Sequence, residues 1–523
     1  MDGKGHIAKA AGLISIATFI SRVLGYVKDM ILAVFFGATG LSDTFFVAFR
    51  IPNLLRELFA EGSMSSAFIP VLTEHQTKQG LQEARKLVRI TFTFVLIFVG
   101  LFCLFGVIFA PAIVTSIAPG FLGVPEKFSL TVLLTRGMFP FLLFVSLAAV
   151  VMGALNTKRI FFIPALAPAM LNVAIIATVL SLAPRMEQPV ISVAIGVVLG
   201  GIIQLAFQLP SFFKNGYGLR PEYDFRHPGL KKMSILILPA TMGMAVAQIN
   251  IFVSTILASY LPEGSITYLY YSMRLIQFPI GVFGVAMGMA VLPTLSEHAV
   301  KGEFDKLRDD FSFALRLLFF ITVPAMVGLI VLREPIVNIL FQRGKFDYAA
   351  TIGTAQALFF YSLGIWAIVG VRVVTASFYS MQDTKTPVKI AVVALLTNII
   401  LSFVFMKPLK HSGLALANAL ASILNFFLLF YFLRKRLKRI DARRIIKSFM
   451  KVSFASAFMG LAGWFLLHGD LWRQSGRSME KAGYLSGAII ICTGFYILIG
   501  YFLKSEEIGH VINLIRKKIQ RGN

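Results

Sequence analysis

Five basic side chains lie within or against long apolar segments of this chain, where a membrane-embedded sequence should carry none. A charge at bilayer depth costs at least about 2.5–3.5 kcal/mol, so such residues usually face a water-filled cavity or a charged partner. Arginine suits phosphate because its planar guanidinium group donates two parallel hydrogen bonds. The pattern therefore predicts a cavity for an anion such as a diphosphate. The five cations are Arg22, Lys28, Arg50, Arg56 and Arg274.

The composition predicts a polytopic membrane protein. Of 523 residues, 57% are hydrophobic and only 14% are charged, whereas soluble proteins carry about 25% charged residues. The net charge of +25 would also suit a nucleic-acid-binding protein. The basic residues, however, lie in short loops between apolar segments, which is typical of cytoplasmic loops that face anionic lipid, so we expect no nucleic-acid partner. Cys103 and Cys492 lie in apolar segments and are expected to be packing residues.

Apolar runs separated by loop signals predict an all-α fold of about fourteen transmembrane helices. With the N-terminus in the cytoplasm, Lys and Arg concentrate in alternate loops, which supports this number and places both termini in the cytoplasm. No signal-peptide cleavage pattern follows the first apolar stretch, so we expect it to remain as helix one. The predicted helices are 10–36, 43–72, 89–117, 130–155, 161–183, 190–213, 233–260, 266–296, 311–341, 349–380, 386–406, 413–433, 446–468 and 484–503.

Two short similarities indicate an internal repeat. AFIPVLTEH at residues 67–75 resembles AVLPTLSEH at 290–298, and NTK at 156–158 resembles DTK at 383–385. The offsets of 223 and 227 residues nearly agree, and each spans six helices. An even number of helices keeps both copies in the same orientation, as in transporters built from two parallel repeats. The predicted parts are an N-lobe at 1–213, a linker at 214–232, a C-lobe at 233–434, and two further helices with a basic tail at 435–523.

Helix one carries three charges around a glycine. Arg22 and Asp29 are two helical turns apart and share a face, whereas Lys28 points about 100° away from Asp29. Gly25 permits a bend or close packing, and breaks in transporter helices often mark a binding site. Local pairing of Lys28 with Asp29 is the competing interpretation, since ions inside membranes commonly pair.

The middle of helix two carries a proline and four charges. Pro52 removes a backbone donor and predicts a kink. Arg50 and Arg56 are six residues apart and point in different directions, while Glu57 and Glu61 are one turn apart and share a face. We expect these acids to act in helix packing or gating, with proton transfer through Glu61 as an alternative.

Arg274 lies well inside helix eight, five residues before Pro279. Three glycines follow the proline and make this half of the helix bendable: Gly281, Gly284 and Gly288. Snorkelling to an interface is the competing interpretation for Arg274, but its depth favours a cavity. Four other arginines lie nearer helix ends or lack companions, and we expect them to snorkel or to be structural: Arg136, Arg316, Arg333 and Arg372.

No set of residues for catalysis or metal binding is apparent in the sequence. The chain has no phosphate-binding GxxxxGK(S/T) loop, so nucleotide hydrolysis is not expected to drive transport. His75 and His298 end helices and are expected to be surface residues. We predict a protein that is not an enzyme, has no cofactor, and draws energy from an ion gradient, the membrane potential or the substrate gradient.

Six segments carry a family resemblance: SRVLG at 21–25, DTFFVAFRIPNLLR at 43–56, FAEG at 59–62, APG at 118–120, YYSMRLIQFP at 270–279 and FYSMQDTKTP at 378–387. Together they resemble the MurJ (MviN) family of lipid II flippases, within the multidrug/oligosaccharidyl-lipid/polysaccharide exporter superfamily. The resemblance covers residues 7–435 and extends weakly to the end of the chain.

The resemblance implies a bacterial inner-membrane protein that moves lipid II, an undecaprenyl-diphosphate-linked disaccharide-pentapeptide, to the periplasmic leaflet by alternating access for peptidoglycan synthesis. It implies that Arg22, Arg56 and Arg274 line the cavity, that Asp43 is the acid of the helix-two motif, and that the last two helices form a groove for the lipid tail. We expect a monomer whose partners are lipid II, membrane lipids and other cell-wall synthesis proteins.

Two positions depart from the family pattern. Lys28 stands where the family usually has arginine, and lysine keeps the charge but loses the bidentate fork. Met273 stands where the family commonly has an acid beside the helix-eight arginine, which removes a counter-ion. Some relatives bind sodium in the second lobe, and Asp383 and Asn398 are the candidates for such a site here.

Three other functions stay open at this point. The same fold would suit an exporter of a different polyprenyl-diphosphate-linked saccharide or a drug/ion antiporter. A drug exporter should have a more apolar or acidic cavity, because its usual cargo is cationic. A scaffold for cell-wall enzymes would show no alternating access.

Overall fold

The computed structural model describes residues 3–57, 64–438 and 440–509, and its regular secondary structure there is helical. The chain divides into two compact units, Met1–Ile266 and Thr267–Asn523. The helices up to the end of the first unit are α1 Gly3–Phe36, α2 Gly40–Leu55, α3 Met64–Gln79, α4 Leu81–Ile108, α5 Ala110–Ile117, α6 Pro125–Met138, α7 Pro140–Thr157, α8 Phe162–Leu182, α9 Ile191–Lys214 and α10 Pro228–Ser259. The following helices are α11 Ser265–Pro279, α12 Val285–Lys301, α13 Phe304–Val331, α14 Arg333–Phe341, α15 Tyr348–Ser362, α16 Ile365–Ser380, α17 Lys385–Leu409, α18 His411–Leu437, α19 Ala442–Leu467 and α20 Ser478–Phe502.

Each predicted transmembrane segment corresponds to one of these helices or to two consecutive ones. Within the described ranges, 11 helical stretches are long and apolar enough to cross a membrane. The other predicted segments correspond to α1, to α2 with α3, and to α10. The all-helical membrane fold is therefore confirmed, while the number fourteen stays a prediction.

In the first unit, small residues let α8 and α9 approach closely. Gly196 and Gly200 lie one turn apart on α9 and face α8, where an added Cβ would come within 2.8 Å of the Ile175 Cα and 2.9 Å of the Leu171 Cα. Small residues four apart are a common basis of helix contact in membranes, where burial of apolar surface gains little because lipid is equally apolar. The pair builds a tight hairpin against which α1 and α7 pack.

Helix α10 belongs to the first compact unit, where it packs against α3, α4 and α5. The segment 119–123 is a short 3₁₀ turn between α5 and α6. Its Gly120 N–H donates to the Ser259 hydroxyl at 3.1 Å, at the end of α10. The boundary between compact units thus falls one helix later than the repeat-based boundary at 214–232. The division of the chain by repeats stays a prediction.

We predict that Gly120→Ala destabilises the protein by about 1–3 kcal/mol, because an added methyl group must displace packed backbone. A Cβ at Gly120 would lie 2.3 Å from the Ser259 carbonyl oxygen. The matched control is Gly123→Ala on the same turn, where nothing lies within 4 Å of the added atom. Thermal unfolding in detergent should show a lower melting temperature for the first variant only. Equal melting temperatures for the two variants would contradict the close approach.

In the second unit, an aromatic cluster attaches α19 to the helices before it. The Trp366 ring on α16 lies 5.3 Å from Phe426 on α18 and 5.4 Å from Phe449 on α19. Phe319 on α13 lies 5.2 Å from the same Phe449 ring. Tilted and edge-to-face arrangements of this kind stabilise beyond the area they bury. The predicted appended helices are thus packed into the second unit at α13 and α16.

A buried ion cluster attaches the end of α20 to α13. Arg316 is almost fully buried, and its Nη1 lies 2.7 Å from Glu506 Oε2 and 3.0 Å from Glu507 Oε1. Arg444 at the start of α19 also pairs with Glu506 at 2.7 Å. Arg316 is therefore structural, which is one of its two predicted roles.

Both cysteines are buried with free thiols, and Cys492 packs against Gly463.

The two helix-end histidines differ in environment. His75 is 7% exposed, its Nδ1 lies 2.9 Å from the Val71 carbonyl oxygen, and its ring lies 5.6 Å from the ring of His227. The prediction that His75 is a surface residue is wrong, because the segment 214–232 folds over it. His298 is partly exposed and contacts Glu303 and Asp310 at 2.9 and 3.1 Å.

Candidate functional site

Helix α1 places its three charges at different levels of burial. Residues 12–23 are mostly exposed, while most of 24–36 are covered by neighbouring helices. Arg22 is therefore exposed and Asp29 is fully buried, although both share one face of the helix. Lys28 Nζ lies 3.1 Å from Asp29 Oδ1, so Lys28 pairs locally with Asp29. Gly25 is buried between these charges.

Arg22 carries its charge on an apolar surface. Its exposed neighbours include Phe19 and Val23. In the described part of the chain, no acidic side chain forms an ion pair with Arg22. A guanidinium group among exposed apolar side chains in a membrane helix is well suited to a bound anion.

The end of α2 is a polar turn built around Arg56. Pro52 is buried within α2, and the helix widens to a π-type turn at Arg56 and Glu57. Arg56 Nε donates to Asn53 Oδ1 at 3.1 Å, and Asn53 Nδ2 donates to Glu57 Oε1 at 3.1 Å. Gln248 on α10 donates to Glu57 Oε2 at 2.8 Å. Single π-type turns occur frequently at functional sites.

The network around Arg56 fixes the direction of its side chain. Arg56 Nη2 lies 3.8 Å from Glu57 Oε1, longer than the 2.8 Å hydrogen bond from Gln248 to the same carboxylate. The carboxylate of Glu57 therefore connects the end of α2 to α10, and its role in gating stays a prediction. Arg50, two turns earlier on α2, is half-buried. Glu61 lies outside the described residues.

Asp43 is a structural acid at the start of α2. It is 1% exposed, and its Oδ2 accepts a 2.8 Å hydrogen bond from the Gly264 N–H and lies 3.3 Å from Lys127 Nζ. Lys127 also lies 4.3 Å above the centroid of the Phe121 ring. Asp43 therefore joins α2 to the start of α6 and to the loop that precedes α11.

Arg274 lies on a broken helix of the second unit. It is half-buried in α11, which ends at Pro279 and continues as a π-type turn at Ile280–Gly284 before α12. Ser272 donates to the Thr354 carbonyl at 2.9 Å, and so fixes this part of α11 to α15. The two helices predicted to correspond by the repeat thus share three features: a proline, a π-type turn and an arginine within five residues of the proline.

Asp383 and Asn398 do not form one site. Asp383 caps α17, because it accepts hydrogen bonds from the Thr386 N–H at 3.0 Å and the Thr386 hydroxyl at 2.8 Å, and it pairs with Arg436. Asn398 is buried 15 residues later, about 20 Å along the helix axis. Within the described residues, no three His, Cys, Asp or Glu side chains are placed to hold a metal ion.

The capping role of Asp383 predicts a pH-dependent stability. Burial alone would raise its pKa, but the hydrogen bonds from Thr386 and the charge of Arg436 outweigh burial and lower the pKa. The stabilisation is therefore complete above the ordinary aspartate pKa of about 3.9 and is lost as the pH falls through the lower folded-state value. Asp383→Asn should cost about 1 kcal/mol near pH 7, and less in acid.

The measurement is the melting temperature of parent and Asp383→Asn protein between about pH 7 and about pH 2, because the stabilisation is lost only below the ordinary aspartate pKa. Asp305→Asn is the control, since the side chain of Asp305 is 95% exposed. A difference in melting temperature between the parent and Asp383→Asn that becomes smaller in acid supports the capping role of Asp383. A difference that instead depends on sodium concentration would contradict that role.

Sequence reasoning missed three partners of the site. Asn53 and Gln248 orient Arg56 and Glu57, and Lys127 neutralises Asp43. A polar side chain within a mostly apolar helix, such as Gln248 in α10, is the available signal. Their partners could not be assigned, because the contacts join distant parts of the chain.

The fold and the charged, broken helices define the class of the protein as a polytopic α-helical membrane transporter. A solved inward-facing multidrug resistance MATE family transporter of the MOP superfamily has the same fold, with a TM-score of 0.65, 16% identity, and coverage of 80% of this chain and 94% of that chain. A solved lipid II flippase MurJ in an inward closed conformation matches with a TM-score of 0.78 and 29% identity, over 94% of this chain and 98% of that chain.

The family model described as lipid II flippase MurJ matches residues 32–474. A MurJ relative from Vibrio cholerae serotype O1 is 36% identical over 502 residues, covering 94% of this chain and 95% of the relative. The lipid II flippase MurJ of Burkholderia cenocepacia is 34% identical over 496 residues, covering 94% of this chain and 96% of the relative. The chain belongs to the lipid II flippase MurJ family. Both of these relatives are named as lipid II flippases.

Proposed function

We propose that this protein moves lipid II from the cytoplasmic to the periplasmic leaflet of the bacterial inner membrane by alternating access, and that Arg22, Arg56 and Arg274 bind the diphosphate. The observation that carries the proposal is an arginine near the proline and π-type turn of one membrane helix in each compact unit. Family membership over 32–474 supports the choice of lipid II as substrate.

The chemistry of the site favours a phosphate ligand over a cationic drug. Arg56 Nε donates to neutral Asn53, and Nη2 lies 3.8 Å from Glu57, so the guanidinium group is held in a defined orientation. Charge-assisted hydrogen bonds from such groups contribute about 1.5–3 kcal/mol each. A cationic drug would instead be repelled by the same side chains. Lys28, whose charge lies beside Asp29, has a smaller role in this proposal.

We also propose how the protein is oriented in the membrane and what drives transport. Both termini are cytoplasmic, because basic residues concentrate in alternate loops. Transport is driven by an ion gradient such as sodium, or by the membrane potential, since the sequence has no nucleotide-binding loop. The protein acts as a monomer alongside membrane lipids and other cell-wall synthesis proteins.

The proposal is tested by reconstituting the protein in liposomes with labelled lipid II on one leaflet. Parallel samples contain a polyprenyl diphosphate with a different saccharide, or a cationic drug. We expect lipid II to cross faster in liposomes with protein than in empty ones, and Arg56→Ala to abolish the difference. Transport of the drug but not lipid II would favour the antiporter, and a preference for the other saccharide would favour the alternative exporter. No transport of any cargo would favour the scaffold.

A further inference from the structure

The segment 214–232 runs from the last residue of α9 through the first turn of α10, and it is held along one end of α4. The Glu222 N–H donates to the Thr93 hydroxyl at 3.0 Å, and the Glu222 carboxylate lies 3.4 Å from Arg89 Nη2. Asp224 pairs with Lys86 at 3.3 Å. These contacts hold residues 222–225, which we call the tip of the segment, beside residues 86–93 of α4.

This level of α4 is the edge of the hydrocarbon layer. The preceding turns of α4 carry Lys86 and Arg89, whereas most large apolar side chains between Leu96 and Ile108 are exposed. At 1.5 Å per residue, the helical residues 94–117 would extend about 35 Å, close to the ~30 Å thickness of the hydrocarbon core. The tip of the segment therefore lies at the membrane–water interface.

The tip exposes two aromatic side chains at this depth. Tyr223 is 68% exposed and Phe225 is 41% exposed. The Phe225 ring meets Phe94 edge-on at 5.9 Å, and Phe94 stacks with Phe98 at 5.6 Å. A row of aromatic rings thus runs from the apolar surface of α4 to the tip of the segment. Amphipathic aromatic rings at this level are typical of membrane interfaces.

The charge that remains on the segment is positive. Its acids Glu222 and Asp224 are paired with basic residues of α4. Arg220, Arg226 and Lys231 are exposed, and within the described part of the chain none of them forms an ion pair or a side-chain hydrogen bond. Each basic residue near a bilayer surface contributes about 1 kcal/mol to the attraction of anionic lipid.

We propose that residues 220–226 form an interfacial anchor that binds anionic phospholipid. Tyr223 and Phe225 insert at the boundary between headgroups and acyl chains, while Arg220 and Arg226 bind headgroup phosphates. The anchor is joined to the start of α10, where the His227 side chain accepts a 3.1 Å hydrogen bond from the Gly229 N–H. Lys232 pairs with Glu74 of α3 one turn later. The anchor is thus continuous with the first turn of α10, and α10 packs against α3 and α4.

The depth of the anchor can be measured with spin labels at Tyr223→Cys and Phe225→Cys in nanodiscs. The buried thiols Cys103 and Cys492 give a background that is measured on the parent protein. Gln79→Cys is the control, because Gln79 is exposed at the far end of α3. Both linker labels should be more accessible to membrane-soluble oxygen than to an aqueous nickel chelate, and the control should show the reverse. If the labels at Tyr223 and Phe225 were as accessible to the nickel chelate as the control label, the proposal would be overturned. The surface would then be better explained as a binding site for a protein partner.

The lipid charge is tested with the Phe225 label in phosphatidylcholine alone and with phosphatidylglycerol added. We expect phosphatidylglycerol to shift the label toward the membrane, and high salt to remove the shift. Arg220→Gln with Arg226→Gln should abolish the shift, whereas Arg185→Gln should retain it. The assignment of anionic lipid would be overturned if the depth of the Phe225 label did not depend on phosphatidylglycerol. It would also be overturned if the change in depth persisted after both arginines were replaced.

Discussion

Alanine in place of Arg22, Arg56 or Arg274 should abolish complementation of a flippase-depleted strain and leave the amount of membrane-inserted protein normal. Each substitution removes charge-assisted hydrogen bonds of about 1.5–3 kcal/mol to the diphosphate. Because 1.4 kcal/mol is a tenfold change, binding should weaken by about 10- to 100-fold for each residue. The measurement is growth after depletion, with protein levels followed by immunoblot.

A matched control separates substrate binding from a general need for charge. Arg185 is exposed and donates to the Ser181 carbonyl of its own turn at 2.9 Å, so Arg185→Ala should complement fully. Arg56→Lys keeps the charge but loses the planar fork, and should give an intermediate phenotype. Full growth by all three alanine variants would exclude these arginines as the diphosphate site.

The second large effect is expected at Asp43, through stability. Asp43→Ala removes the acceptor of the Gly264 N–H and leaves Lys127 largely buried without its carboxylate. Breaking one partner of a buried pair costs about 3–5 kcal/mol. We therefore expect a large fall in melting temperature in detergent and a matching fall in folded protein. Asp43→Asn retains an oxygen acceptor and should lose less.

Asp470→Ala is the control for this experiment, since Asp470 and its partner Arg473 are both highly exposed. Exposed ion pairs contribute between about 0 and 1 kcal/mol, so the control should leave the melting temperature nearly unchanged. If Asp43→Ala melted like the control but failed to support growth, Asp43 would act on the substrate or on the transport cycle and not on the fold.

Features set by covalent geometry could be predicted from the sequence. Pro52 and Pro279 predicted breaks in helices two and eight, and both helices widen into π-type turns beside or shortly after them. The apolar segments were also predictable, because each must span a fixed hydrocarbon thickness with its backbone hydrogen bonds satisfied internally.

Contacts between distant segments could not be predicted. Asp43 and Lys127 are 84 residues apart, and Glu57 and Gln248 are 191 residues apart. Periodicity fixes the face of a helix but not which part of that face a neighbour covers. For this reason Arg22 and Asp29 share a face and yet differ in exposure, and His75 was wrongly expected at the surface.

The identity of the transported lipid is tested most directly by a leaflet-resolved measurement of lipid II after acute depletion of this protein in its own bacterium. The account predicts that lipid II accumulates in the cytoplasmic leaflet within minutes, that the periplasmic pool falls, and that the parent gene but not its Arg56→Ala variant restores the distribution. An unchanged periplasmic pool after complete depletion would contradict the account.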